Sequence, residues 1–145
     1  MKNKLRKIKL GNKTYLWKRE HHHLAEFEHS KCVEKITIYL EGFKNSPLLL
    51  WFREEDNLML KTAIGKEKWC VGSPYDGVVW LDAPWQNKPA QNDNTSINLN
   101  RPAVIAELIT YFSLNGWKPR ESSKPFVEEN ALKFIEIIDL PRGIN

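Results

Sequence analysis

Apolar and polar residues alternate or recur in distinct periods along the chain, and the periods define its elements. Between Pro102 and Leu114, the apolar residues Val104, Ile105, Leu108, Ile109, Tyr111 and Phe112 fall at three- and four-residue spacings. Glu107, Thr110 and Ser113 lie opposite, so the spacing predicts an amphipathic helix with a broad apolar face. Its ends are punctuated. Asn100 is a capping residue type, and Pro102 suits a first turn that needs no N–H. Asn115-Gly116 suits the left-handed stop, and Pro119 blocks continuation.

Elsewhere the period is two. Lys4 to Lys18 reads as a hairpin about the turn dipeptide Gly11-Asn12. That turn sets Leu10 against Lys13, Ile8 against Tyr15 and Arg6 against Trp17. Ile8, Leu10, Tyr15 and Trp17 then share one face. Lys7, Lys9, Thr14 and Lys18 share the other, with Leu5 and Leu16 among them. Val33 to Leu40 alternates, with Ile36, Ile38 and Leu40 on one side and Lys35, Thr37 and Tyr39 on the other. Gly42 to Pro47 supplies turn residues. Leu48-Leu49-Leu50-Trp51-Phe52 is apolar on both faces, which predicts a central strand. Leu58 to Ile64, Trp69-Cys70-Val71, Val78 to Leu81 and Thr95 to Leu99 follow as further short strands between polar turns.

The aperiodic stretches complete the picture. Glu20 to Cys32 breaks the alternation and reads as a polar loop holding all four histidines, His21, His22, His23 and His29. Asp82 to Asn94 is a long loop, a class often functional. Pro125-Phe126-Val127 suits a short strand. Glu128 to Ile138 reads as a second helix with Val127, Ala131, Phe134, Ile135 and Ile138 on one face, against the strand preference of Ile135-Glu136-Ile137-Ile138. No helix long enough for a parallel crossover lies between the strands from Val33 to Leu81. The expected fold is therefore α+β: one domain over residues 1–145, with an antiparallel meander of five to seven strands. The sheet packs on the helix Pro102–Leu114, with a C-terminal helix beside it.

Composition adds three constraints. No apolar run approaches the ~20 residues that span a bilayer, and no signal-peptide pattern follows the basic N-terminus, so no membrane contact and a cytoplasmic location are expected. The net charge of +4 is uneven: residues 1–19 carry 8 of the 22 basic residues and no acid, leaving 14 basic against 18 acidic in the remainder. Cys32 and Cys70 stand in no paired motif, so free thiols are expected. Six tryptophans imply a large aromatic core or a contact surface.

Chemistry-bearing patterns are sparse. There is no phosphate-cradling glycine loop, nucleophile elbow or cysteine pair. No catalytic residues or cofactor are assigned. His29 and Cys32 with an earlier histidine give no closed four-ligand set, and consecutive histidines point in different directions, so no metal site is expected. The function indicated first is a non-enzymatic protein-binding module, such as an adaptor or toxin-neutralising partner. The alternatives are nucleic-acid contact through Lys7, Lys9, Lys18 and Arg19 of the basic hairpin, and a ligand or enzymatic site at Trp80, Asp82 and Trp85.

Asn-Arg-Pro before an apolar helix, then Gly-Trp-x-Pro, then Phe-Val, resembles small bacterial proteins of unassigned role. The resemblance covers Asn98 to about Leu132 and implies a bacterial cytoplasmic protein. Its motifs punctuate a helix and carry no catalytic residues.

Overall fold

A computed structural model of the chain describes residues 5–24, 31–53, 69–71, 77–81, 96–135 and 137–143. Eight strands among them form two sheets. The first sheet contains β1 (Arg6–Leu10), β2 (Lys13–Leu24), β3 (Lys31–Leu40), β4 (Phe43–Arg53) and β8 (Phe126–Glu128), in the order β1-β2-β3-β4-β8. The second contains β5 (Trp69–Val71), β6 (Val78–Leu81) and β7 (Ser96–Asn98). One helix, α1 (Pro102–Leu114), completes an α+β fold. No described helix is long and apolar enough to cross a membrane.

The first hairpin has the expected register. Arg6 faces Trp17, Ile8 faces Tyr15 and Leu10 faces Lys13, about a turn in which Gly11 has φ 63°. Tyr15 and Trp17 are buried, while Lys7 and Lys9 are exposed. The next meander step is antiparallel too, and Ile36, Ile38 and Leu40 enter the core with Leu48, Leu50 and Phe52. One hydrophobic cluster joins this sheet face to Val71, Val79 and Ile97 of the second sheet and to Val104, Ile105, Leu108, Ile109 and Phe112 of α1. Leu108→Ala is expected to cost about 3 kcal/mol in chemical unfolding, since it deletes buried methyl groups from a packed cluster. A cost under about 1 kcal/mol would show that α1 does not seal the core.

Five local expectations are corrected. First, Glu20–His23 is strand, not loop. β2 runs on to Leu24 because β3 supplies complementary partners, Lys35 opposite Glu20 and Glu34 opposite His21. Second, the β3–β4 turn is Glu41-Gly42 alone, with Gly42 at φ 91°, and β4 already starts at Phe43. The Ile38/Leu40 irregularity lies across from Pro47, which has no N–H for the ladder. Third, β8 pairs with β4 in parallel, setting Val127 beside Leu49, because the chain returns to it through the second sheet and α1.

Fourth, the N-cap of α1 is Arg101 in an extended conformation, without a side-chain cap. Asn100 is occupied elsewhere, as described below. Fifth, the C-terminal segment forms only a 3-10 turn, Ala131–Phe134. Ala131, Ile135, Ile138 and Leu140 are buried all the same. The β-branched residues after Phe134 are poor helix formers, and short turns already bury the apolar groups. The expected strand Leu58–Ile64 and loop Asp82–Asn94 lie outside the described residues.

Candidate functional site

Two features of the first sheet bear on function, one on each face. The outer face carries Leu16 and Tyr39 as one cross-strand pair and Leu49 and Val127 as another, with Trp51 one step along β4. Leu16, Tyr39, Leu49 and Trp51 are half-buried, and Val127 is 49% exposed. Leu5, just before β1, is 46% exposed. Leu49 and Trp51 are the residues that made β4 apolar on both faces, and they are only partly buried, although Val33 and Thr37 on the same outer face are buried.

Lysines border these apolar groups. Lys7 and Lys9 are exposed on β1, Lys18 on β2 lies 4.0 Å from Glu20, and the Lys35 ammonium sits 4.9 Å from the Trp51 ring centre. The His22 ring lies 6.0 Å from that of Trp51. Thus Lys7, Lys9 and Lys18 share one face, as the alternation requires. Arg19 does not join them, because the next residue of a strand points to the opposite side.

On the inner face, Arg19 enters a buried ionic cluster. Glu34 of β3 is fully buried, and its carboxylate oxygens are spoken for. Oε1 accepts from Arg19 Nη1 at 2.7 Å. Oε2 accepts from the Gly77 N–H at 2.9 Å and also meets His21 Nδ1. Arg19 Nε donates to Asn100 Oδ1 at 2.7 Å, and Asn100 Nδ2 donates to Asn98 Oδ1 at 3.0 Å. Arg6 Nη1 donates to the Asn100 carbonyl at 2.9 Å. One carboxylate therefore links β2 and β3 to the start of β6 and, through Arg19, to the corner before α1.

The close approach at Gly77 requires glycine. Its φ is 84°, and a Cβ there would lie 2.5 Å from Asn100 Nδ2 and 2.6 Å from Arg19 Nε. The Gly77 carbonyl accepts from the Leu99 N–H at 2.7 Å, closing the corner. These pairings answer the cost of burying a charge: every described contact of Glu34 is with a donor.

Trp80 is fully buried on β6, next to the Val79 that enters the main core. Asp82 and Trp85 lie outside the described residues, as does His29. Among the described side chains, no three of His, Cys, Asp and Glu are grouped to hold a metal. A carboxylate-held imidazole such as His21 is a component of both catalytic triads and metal sites. Sequence reasoning missed it because it placed His21 in a loop rather than on a strand paired with that of Glu34. The signal was the pairing of a histidine-rich strand with a strand carrying a carboxylate on its apolar side. No protein-family model, curated protein or solved structure matches this chain.

Proposed function

We propose that the chain is a non-enzymatic protein-binding module of the bacterial cytoplasm, an adaptor or toxin-neutralising partner, that docks on the outer face of the five-stranded sheet. The observation that carries this reading is the apolar group Leu16, Tyr39, Leu49 and Trp51, each only partly buried, with the exposed Val127 beside Leu49 on one sheet face. Contiguous exposed apolar residues rimmed by charge mark contact surfaces. The rim here is basic, so the partner brings carboxylates around an apolar centre.

The test uses the chain as bait in a bacterial lysate, identification of what is captured, and rebuilding of the purified pair. The pair is expected to bind at micromolar Kd or tighter. Leu49→Asp with Val127→Asp should weaken it at least tenfold, and so should Lys9→Glu acting on the rim alone. Binding by the pair that neither variant changes would place the contact elsewhere.

A second reading is favoured by one observation: Lys7, Lys9 and Lys18 share the face that carries Tyr39 and Trp51, an arrangement suited to nucleic-acid phosphates and bases. Weighing against it, Leu16, Leu49 and Val127 offer no stacking surface, and Lys35 and His22 already lie against Trp51. Titrating labelled DNA and RNA at several salt concentrations separates the two. Micromolar binding whose salt slope falls by about one for each lysine replaced with glutamine would transfer the function to nucleic acid.

A further inference from the structure

We propose that the free edge of β1 binds an extended acidic segment of a partner protein, which adds to the five-stranded sheet as an antiparallel strand. The proposal rests on the protein-binding reading above and gives that module a second contact, made by main-chain groups. β1 ends its sheet, with β2 on one side and no described strand on the other. The register fixes which of its backbone groups face outward. The Thr14 carbonyl accepts from the Glu41 N–H at 3.0 Å, so the polar backbone groups of Thr14 face β3. Thr14 stands opposite Lys9, which makes theirs a pair without hydrogen bonds between β1 and β2. The N–H and C=O of Lys9 therefore point away from β2, and by alternation so do those of Lys7. Both residues are exposed.

Side chains decide which strand fits. Lys7 and Lys9 lie two apart and share one face of the edge. A second copy of the chain, joined edge to edge through these outward groups, would set lysine against lysine. Like charges directly opposite are destabilising, and lysines on an edge strand guard against such self-pairing. A strand with carboxylates at alternate positions meets the same lysines with opposite charge, at the close separation of cross-strand pairs. On the other face, Ile8 and Leu10 pack against the core and are only partly buried. The residues between the carboxylates are therefore apolar, so that they cover Ile8 and Leu10. Leu5, just before β1 and 46% exposed, offers an apolar contact at the end of the edge. In such strand addition, main-chain bonds supply affinity and alternate side chains supply selection.

The probe is a short fluorescein-labelled peptide in which glutamate alternates with valine. It is expected to bind the full chain with a Kd of about 100 μM or tighter. In its presence the Lys7 and Lys9 amide protons should exchange more slowly with solvent, as read by NMR. N-methylating the glutamates removes the N–H groups that face β1 and should weaken binding at least tenfold. N-methylating the valines, whose N–H groups point away, should leave it unchanged. Lys9→Pro removes one outward N–H and spares the bonds that Ile8 and Leu10 make to β2, so it too should cost at least tenfold. Far-ultraviolet dichroism checks that its sheet is intact, and the methylated peptides test the edge on the unaltered chain. Leu49→Asp with Val127→Asp should not change peptide binding, so the outer-face reading and this one fail separately. Peptide binding weaker than about 1 mM would overturn the proposal. So would equal losses from the two methylated peptides, which mark attraction by charge alone. Single-stranded RNA that displaces the peptide and shifts the same amide signals would assign the edge to nucleic acid instead.

Discussion

Replacing Glu34 with alanine is expected to lower the unfolding free energy by about 3–5 kcal/mol. In a chain of this size that corresponds to a fall in Tm on the order of 10 °C. The side chain itself is small, so the loss comes from what it leaves behind. Arg19, whose side chain is 19% exposed, would keep its charge without its carboxylate, and the Gly77 N–H would lose its acceptor. Glu34→Gln keeps the shape, yet its amide nitrogen must face donors on one side, so it should cost more than half as much. The double variant Glu34→Leu with Arg19→Met removes both charges together and should cost less than Glu34→Ala alone, because an apolar pair strands no ion. Thermal and urea unfolding of the three variants decides the matter. A Glu34→Ala loss under about 1 kcal/mol would mean that the cluster does not hold the two sheets together.

The legible parts of this fold are those fixed by neighbours in the chain. Gly11-Asn12 set a hairpin register that the structure reproduces pair by pair. Pro102 and Gly116 bound a helix that runs from Pro102 to Leu114. Alternation assigned Ile36, Ile38 and Leu40 to the core. What escaped the sequence depends on partners far away. Asn100 looks like a helix cap, but its side chain is claimed by Arg19, 81 positions earlier. Glu34 interrupts an apolar face and gives no hint of the Gly77 N–H that meets it. The histidine run looked like a loop because polarity and strand content were treated as opposed, whereas a paired partner strand satisfies both.

The candidate contact surface was half legible. Leu49 and Trp51 stood out as apolar residues on the second face of a strand. That pattern predicts burial on both faces, since a central strand is its commoner cause. In the folded chain β4 is central in its sheet, with β3 and β8 on either side, but Leu49 and Trp51 on its outer face are only partly buried. That mismatch between pattern and burial is what supports the proposed contact surface: among the described residues, these large apolar groups are only partly buried.

The Gly-Trp-x-Pro corner after α1 has a physical account that leads to the other large expected effect. Gly116 takes φ 119°, turning the chain so that Trp117 enters the core with its backbone N–H on the Phe112 carbonyl at 2.8 Å. The buried indole donates from Nε1 to the Ser46 carbonyl at 2.9 Å and lies 5.9 Å from the Tyr15 ring centre. Ser46 Oγ donates to the Pro119 carbonyl at 2.8 Å, so the corner and the start of β4 are stitched in both directions. Trp117→Ala should therefore cost about 5 kcal/mol: a large cavity beneath the sheet accounts for most of it, and a stranded carbonyl for the rest. Trp117→Phe isolates the second term. It keeps most of the ring packing and loses the N–H, so it should cost about 1–3 kcal/mol. Urea unfolding followed by dichroism measures both. If phenylalanine proves as damaging as alanine, the hydrogen bond to Ser46 outweighs the packing. If alanine costs less than about 2 kcal/mol, this corner does not anchor α1 to the sheet.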